Sequence, residues 1–397
     1  MRSNQPVTSF HPPRRTLMGP GPSDVHPRVL EAMARPTIGH LDPAFVGMMD
    51  QLKALLQATF RTGNELTLPV SGPGSAGMEA CFVNLIEPGD TVIVCINGVF
   101  GGRMKENVER CGATAVTVSD DWGTPVDADK VAEALKAHPG AKAVAFVHAE
   151  TSTGVASDAA TLCRLAREAG ALSIVDAVTS LGGMPVLVDE WGADAVYSGT
   201  QKCLSCTPGL SPVTFGPRAV EVVKGRKTRN QSWFLDFGLL TAYWGGGAKR
   251  TYHHTAPINA LYGLHEALVM LHEEGIEAAW DRHARHHQAL RIGLEAMGLS
   301  LPVAPAARLP MLNAVTVPAG VDEAQVRARL LERFGLEIGA GLGALAGKIW
   351  RIGLMGNSCT PGHVVGCLTA LESVLADLGA PITTGAAMPA ASKALFG

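Results

Sequence analysis

Strong charge is what this sequence lacks first. Its 33 Lys and Arg face 36 Asp and Glu in 397 residues, a formal net charge of -3, and no basic stripe marks any segment. A nucleic-acid surface is therefore not expected, because phosphate neutralisation needs clustered cations. Long apolar runs are missing too. The most apolar window, ALSIVDAVTSLGGMPVLV, carries Asp176, two glycines and Pro185, so it reads as a buried strand with its exit loop rather than a membrane span. The N-terminus, MRSNQPVTSFHPPRRTLMGPGPSD, has Arg, Pro and Ser but no apolar h-region, which argues against a secretory signal. Nor is there a disulfide framework. Cys81, Cys95, Cys111, Cys163, Cys203, Cys206, Cys359 and Cys367 are scattered, mostly inside apolar runs, as expected of a reduced, cytoplasmic chain. Cys203 and Cys206 form a CxxC, yet no second pair or histidine cluster stands close enough to complete a zinc site.

Glycine, by contrast, is plentiful at 45 residues, and 47% of positions are hydrophobic, enough for a large core shared among two or three domains. The runs TVIVCIN, ATAVTVS, AVAFVHA, LSIVDAV and DAVYSG are short, apolar and rich in Val and Ile, the pattern of buried strands. Helical stretches with one polar face separate several of them. DADKVAEALKAH keeps Val131, Ala134 and Leu135 on one side behind an Asp cap, and DAATLCRLAREAG repeats that design and closes at Gly170. Such alternation predicts an α/β fold, a mostly parallel sheet with helices on both faces.

The texture changes from Pro257. INALYGLHEALVMLHEEG and IEAAWDRHARHHQALRIGLEAMG are long helical patterns divided at Gly275. The expected map is an N-terminal arm over 1–22, a large domain over 23–275 and a smaller C-terminal α+β domain over 276–397. The tail APITTGAAMPAASKALFG, rich in Ala, Pro and Thr, is expected to be loosely ordered. The histidines of DRHARHHQAL are expected on a solvated helix face, and no metal site is expected.

Chemistry enters where polar residues punctuate the apolar runs. TLPVSGPGSAGMEACFVNLI breaks a strand at Ser71 into a glycine-rich turn, with a helix resuming from about Ala76. A helix start offers unpaired N–H groups to an anion, although a tight turn with nothing bound fits that segment equally well. No GK[ST] follows, so it is not a Walker motif. GAGLGALAG at 339–347 is not a dinucleotide fingerprint, because the KIWRIGL that follows alternates like a strand. Asp176 stands after four apolar residues at the carboxyl end of a buried strand, where α/β sheets place ligands and where an unpaired acid is costly. Lys202 follows the next strand, at the same edge of the sheet. An acid, a lysine and a phosphate cradle are together what pyridoxal 5′-phosphate (PLP) requires: the amine forms a Schiff base and the acid keeps the pyridine nitrogen protonated.

With those residues in view, the chain resembles the class V aminotransferases of the PLP-dependent fold-type I group, and within them the alanine–glyoxylate and serine–glyoxylate enzymes. The likeness is carried in order by GPGPSDVHPRVLEAM, SGPGSAGMEA, NGVFGGR, AETSTGV, VDAV, SLGG, YSGTQKCL, TYHHTAPINALYGL and GKIWRIGLMG, from about residue 18 to about residue 375. It implies that Lys202 is the Schiff-base lysine and then the general acid/base, and that Asp176 holds the pyridine nitrogen. Phe100 would stack on the ring, in a place where many relatives carry Trp or Tyr. The backbone of Gly74, Ser75 and Ala76 would cradle the phosphate with Gln201. Pro73 and Ser75 stand where Ser, Thr or His is common in relatives. Thr151, with Ser152 as the lesser candidate, would donate to the 3′-oxygen.

Tyr252 and Thr255 would reach the phosphate of a neighbouring subunit, which makes a homodimer with shared active sites; His253 and His254 are left as structural. Arg351 would clamp the substrate carboxylate with two parallel bonds. The loop at Gly19, Gly21 and Gly39, with His40, would line the same pocket. The implied reaction is transamination of a small L-amino acid, alanine or serine, with glyoxylate or pyruvate, ping-pong through the pyridoxamine phosphate form. Other members of the scaffold use pyridoxamine or ureidoglycine as donor, or act as lyases or cysteine desulfurases. A silent binding protein that kept the fold is a further alternative, opposed by the intact Asp176, Gln201 and Lys202. For a desulfurase, Cys359 in GNSCTPG looks wrongly placed. The stretch LLTAYWGGGAKR, 239–250, resembles the alanine–glyoxylate enzymes.

Overall fold

The computed structural model describes residues 8–245 and 250–396. Residues 1–7 of the expected arm, residues 246–249 of the LLTAYWGGGAKR stretch and Gly397 lie outside the described residues.

Helix α1 (Pro43–Phe60) starts at Asp42, whose side chain accepts the Ala44 N–H, and packs Phe45, Met49, Leu52 and Leu56 into the core. Then come β1 (Leu66–Ser71), α2 (Gly74–Leu85), β2 (Thr91–Ile96), α3 (Val99–Arg110), β3 (Thr114–Ser119), α4 (Ala128–Ala137), β4 (Ala143–Val147), α5 (Ala159–Glu168), β5 (Leu172–Asp176), β6 (Ala195–Tyr197) and β7 (Leu210–Phe215). Asp127 and Asp158 cap α4 and α5, as the sequence pattern predicts. The phosphate-cradle helix begins at Gly74, two residues before the position expected from the sequence, because the turn after Ser71 is that tight.

The strands form one seven-stranded sheet in the order β1-β7-β6-β5-β4-β2-β3. β2 to β6 run parallel, and β7 lies antiparallel between β6 and β1. Every residue of β4 and β5 is buried, since helices cover both faces. From β2 the chain moves outward to β3, whereas from β4 it moves the other way to β5. The carboxyl ends of β2 and β4 therefore flank a topological switch point, where such sheets open a crevice.

α6 (Ile258–Glu274) and α7 (Ile276–Ala296) meet at Gly275, the break expected from the sequence. α7 enters a second apolar core built with β8 (Leu312–Thr316), α8 (Glu323–Phe334), β9 (Gly339–Ala340), β10 (Ile349–Gly353) and α9 (Pro361–Asp377). β8 and β9 flank β10, both antiparallel to it. The arm joins this core through Met18, and Thr16–Leu17 pair with Leu336–Glu337.

Two expectations are corrected here. The tail is not loose: Ala387–Phe396 form a further helix, α10, and bury Ala387 and Ala391 completely against α7. Small residues that looked like disorder in the sequence are what let two helices approach closely. The α7 histidines are not a solvated face either. His283 is fully buried, with Nδ1 2.6 Å from the Ala279 carbonyl and Nε2 accepting the Gly356 N–H at 2.9 Å, and burial drives its pKa down to about 3. His286 is buried beside Cys359, Nδ1 to Sγ 3.4 Å. Among the described residues no group of His, Cys, Asp and Glu could hold a metal ion, and all eight cysteines are free and buried. No helix there is long and apolar enough to cross a membrane.

Candidate active site

The cleft lies at the carboxyl edge of the parallel strands. Asp176 ends β5 and is 2% exposed. Register pairs it with Tyr197 on β6, and that phenol donates to Oδ2 at 2.8 Å while the Val178 N–H donates to Oδ1 at 2.8 Å. Burial still pushes the acid up to about 7, against the pull of those two donors. The acid's environment is one that a cation would complete.

Lys202 sits in the turn after β6, 8% exposed. The segment at the end of the arm holds it there: Ser23 N–H donates to the Gln201 carbonyl at 2.9 Å and Ser23 Oγ to the Lys202 carbonyl at 2.8 Å. The Lys202 ammonium donates to the Pro20 carbonyl. Burial first, then the Arg351 charge, brings the amine down to about 8, with Asp176 and Glu150 acting the other way. Gly21, at φ +102°, lies directly over the lysine; a Cβ there would stand 2.7 Å from Lys202 Cδ and 2.8 Å from Nζ. Both the backbone angle and the lack of room require glycine.

Arg351 lies on β10 and is buried; its Nε donates to the Ala340 carbonyl at 2.7 Å and its Nη1 to the Thr151 carbonyl at 3.2 Å. Those bonds aim the guanidinium into the cleft and tie the second core to the loop after β4. Burial lowers its pKa to about 10, and Glu150 opposes the shift. Thr151 is buried, whereas the Ser152 hydroxyl is already engaged, donating to Glu150 Oε1 at 2.6 Å and accepting the Val99 N–H at 3.0 Å. Phe100 lies in the first turn of α3, with the Arg103 guanidinium 4.9 Å from its ring centre.

At the other end, α2 starts with Pro73 in the cap position and no side-chain cap, so its first-turn donors are not satisfied by the helix itself. The Ala76 N–H turns back to the Pro73 carbonyl at 2.7 Å. Gly74 is buried against Val178 and Ser198, which leaves no space for a side chain. Gln201 Oε1 is buried without a hydrogen-bond partner among the described residues.

Tyr252 and Thr255 are not in this cleft but exposed, their hydroxyls 3.4 Å apart. His40 packs on Tyr252, ring centres 5.1 Å apart, and a Cβ at Gly39 would meet only Asp42, so this loop sides with Tyr252. His254, left as structural in the sequence, reaches Ser71 just before the glycine turn, Nε2 to Oγ 3.2 Å. Sequence reasoning assigned nothing to Tyr197 or Glu150. Tyr197 reads as one more strand residue until register sets it beside Asp176; Glu150 lies within AETSTGV, and only its burial singles it out.

The residues present fit PLP. A buried acid lacking a cation, a buried low-pKa amine and a first helical turn with unused N–H donors match the pyridine nitrogen, aldehyde and phosphate of that cofactor. Reconstitution gives a test of the lysine environment. A neutral amine is needed to attack the aldehyde, so the attachment rate should rise with pH and level off above about 8, whereas an ordinary lysine titrates near roughly 10.4. Rapid-mixing absorbance against pH measures the midpoint, and a rate still climbing well beyond that value would contradict the buried setting.

The class-V aminotransferase family model matches residues 20–354. The (S)-ureidoglycine–glyoxylate transaminase of Bacillus subtilis is 40% identical, covering 96% of this chain and 95% of its own. The alanine–glyoxylate aminotransferase of Callithrix jacchus is also 40% identical, covering 91% and 88%. Among solved structures, the alanine–glyoxylate aminotransferase of Nostoc sp. aligns with TM-score 0.92 at 45% identity, covering 94% of this chain and 98% of its own. The pyridoxamine–pyruvate aminotransferase of Mesorhizobium loti aligns with TM-score 0.90 at 30% identity, covering 95% and 96%. With a family match across most of its length and a cleft that fits the cofactor, this chain belongs to the class-V aminotransferases and is a PLP-dependent enzyme of fold type I.

Proposed function

We propose that this protein moves the amino group of a small L-amino acid, alanine or serine, to a small 2-oxo acid, glyoxylate or pyruvate, in two half-reactions. The carrying observation is the crowding of Lys202 by Gly21 and Pro20, with the Arg351 guanidinium on the Thr151 side. That space suits a short side chain beside a carboxylate. When bound, PLP supplies the electron sink for the charge left on the substrate α-carbon. Lys202 holds the cofactor and shuttles the α-proton; Asp176 keeps the ring nitrogen protonated. Phe100 covers the ring and Thr151 donates to its 3′-oxygen. The N–H groups of Gly74 and Ser75 and the Gln201 amide N–H take the phosphate, with Ala76, whose N–H turns back to Pro73, shaping the turn that presents them. Arg351 clamps the carboxylate, and Gly21 limits the space beside it. Gly39 has no described contact with that cleft; its place near Tyr252 fits a pocket completed by a second subunit.

The names of the relatives support glyoxylate as acceptor and keep ureidoglycine and pyridoxamine open as donors. A single-turnover screen decides between them: mix the PLP-loaded protein with each donor and follow loss of its visible band. Alanine or serine should convert it fastest; conversion by ureidoglycine or pyridoxamine alone would replace the donor in this reading. A desulfurase is disfavoured, since Cys359 is buried beside His286 and held as a neutral thiol with a pKa of about 12.

Arg351→Ala should raise KM for carboxylate substrates. Two charge-assisted bonds at about 1.5 kcal/mol each correspond to roughly a hundredfold, with cofactor affinity preserved. An unchanged KM in steady-state assays would remove Arg351 from the substrate site.

We further propose a large domain over 23–275, a small domain over 276–397, a cytoplasmic location and a homodimer. Supporting the dimer, Tyr252, Trp233, Leu41, Leu239 and Phe234 are exposed, and Trp233 stacks on His253 at 4.4 Å next to Tyr252. Tyr252 and Thr255 would complete the partner's phosphate site. Analytical ultracentrifugation giving a monomer with full activity would sink that arrangement.

A further inference from the structure

Glu150 has no task in the reaction above, yet it is fully buried within the same cleft. A buried carboxylate costs several kcal/mol as an order of magnitude unless donors surround it. Here they do. Oε2 accepts the Phe100 N–H at 3.1 Å; Oε1 accepts the Ser152 N–H at 3.0 Å and the Ser152 hydroxyl at 2.6 Å. Ser152 Oγ in turn accepts the Val99 N–H at 3.0 Å.

These bonds join two segments that leave the switch point in opposite directions. α3 opens with Gly98 in its cap position and no cap from that residue, so its first-turn N–H groups look for partners elsewhere. The loop after β4 supplies them, and the negative charge also suits the positive end of the helix. Gly98 makes the approach possible: a Cβ there would collide with Glu150 Cγ and Cδ and stand 2.5 Å from Ser152 Oγ. Both oxygens of Glu150 only accept. Glutamine at 150 would turn an NH2 group toward either the Phe100 or the Ser152 N–H, so it cannot reproduce the set.

We propose that Glu150 is a positioning residue whose carboxylate fixes the backbone of Phe100, and with it the ring that covers the cofactor, relative to its neighbour Thr151. This rests on the cofactor placement given under the proposed function. Glu150 acts through Phe100 and touches neither cofactor nor substrate.

The test is a double-mutant cycle read by cofactor binding rather than turnover. Cofactor-free wild type, Glu150→Gln, Phe100→Ala and the double variant are titrated with pyridoxal 5′-phosphate. Affinity is followed by tryptophan fluorescence, and ring orientation by circular dichroism in the visible band. Glu150→Gln is expected to weaken binding roughly tenfold and to shrink the dichroic band, while in the Phe100→Ala background it should cost less than about twofold. Additive losses, or wild-type affinity and dichroism in Glu150→Gln, would overturn the proposal. Thermal melts without cofactor show whether Glu150→Gln is folded. If it is not, Ser152→Ala carries the same cycle, because it removes one donor to Glu150 and the acceptor for Val99. Its expected loss is about threefold, again vanishing without Phe100; additivity there overturns the proposal equally. A wild-type protein that takes up no cofactor would instead sink the functional reading beneath it.

Discussion

Lys202→Ala should give a folded protein with no visible band from attached cofactor, and half-reaction rates with amino acids should fall by roughly 10²–10⁴-fold, the range for a positioned proton-transfer group. The reason is the setting of that amine. It is buried, lowered to about 8, crowded by Gly21 and held by the Pro20 carbonyl. A small primary amine added to the variant should restore part of the proton transfer but not the covalent anchoring. Rapid-mixing absorbance with alanine measures both effects, and near wild-type rates would contradict the role.

Asp176→Ala is expected to be the second large effect. The acid sits at about 7 because burial outweighs the Val178 and Tyr197 donors; a protonated ring nitrogen beside it would relieve that imbalance. Without the acid the nitrogen would lose its proton at neutral pH, and the electron sink would weaken. Half-reaction rates should drop by roughly 10²–10³-fold, the scale of losing one preorganised electrostatic partner, and cofactor affinity should fall with them. A variant that transaminates at close to the wild-type rate would remove Asp176 from the mechanism.

Much of this architecture was legible beforehand, for a physical reason. Strands buried on both faces must be short continuous apolar runs, so β2, β4, β5 and β6 stand out from the sequence, whereas β3, expected from ATAVTVS to be buried, is the edge strand and buries only Val118; an acid or amine at the end of a buried run is conspicuous because burial penalises it. Asp176 and Lys202 stand out in that way, and the structure buries both at the same edge of the sheet. What escaped was set by register or by distant segments. Tyr197 looks like one more strand residue until parallel pairing puts it opposite Asp176. Glu150 is conspicuous only once α3 is known to begin over it. The Pro20 carbonyl and Ser23 come from an N-terminal segment about 180 positions away, hydrogen bonds of that span being invisible to local pattern. The tail failed for the opposite reason, since alanines carry little apolar signal yet permit the close α7–α10 contact.

Borohydride reduction of the cofactor-loaded protein, followed by peptide mass mapping, bears most directly on the whole account. The reduced pyridoxyl adduct is predicted on the peptide containing Lys202, and to be lost in Lys202→Ala. An adduct found mainly on another lysine, or none after saturation with pyridoxal 5′-phosphate, would contradict it.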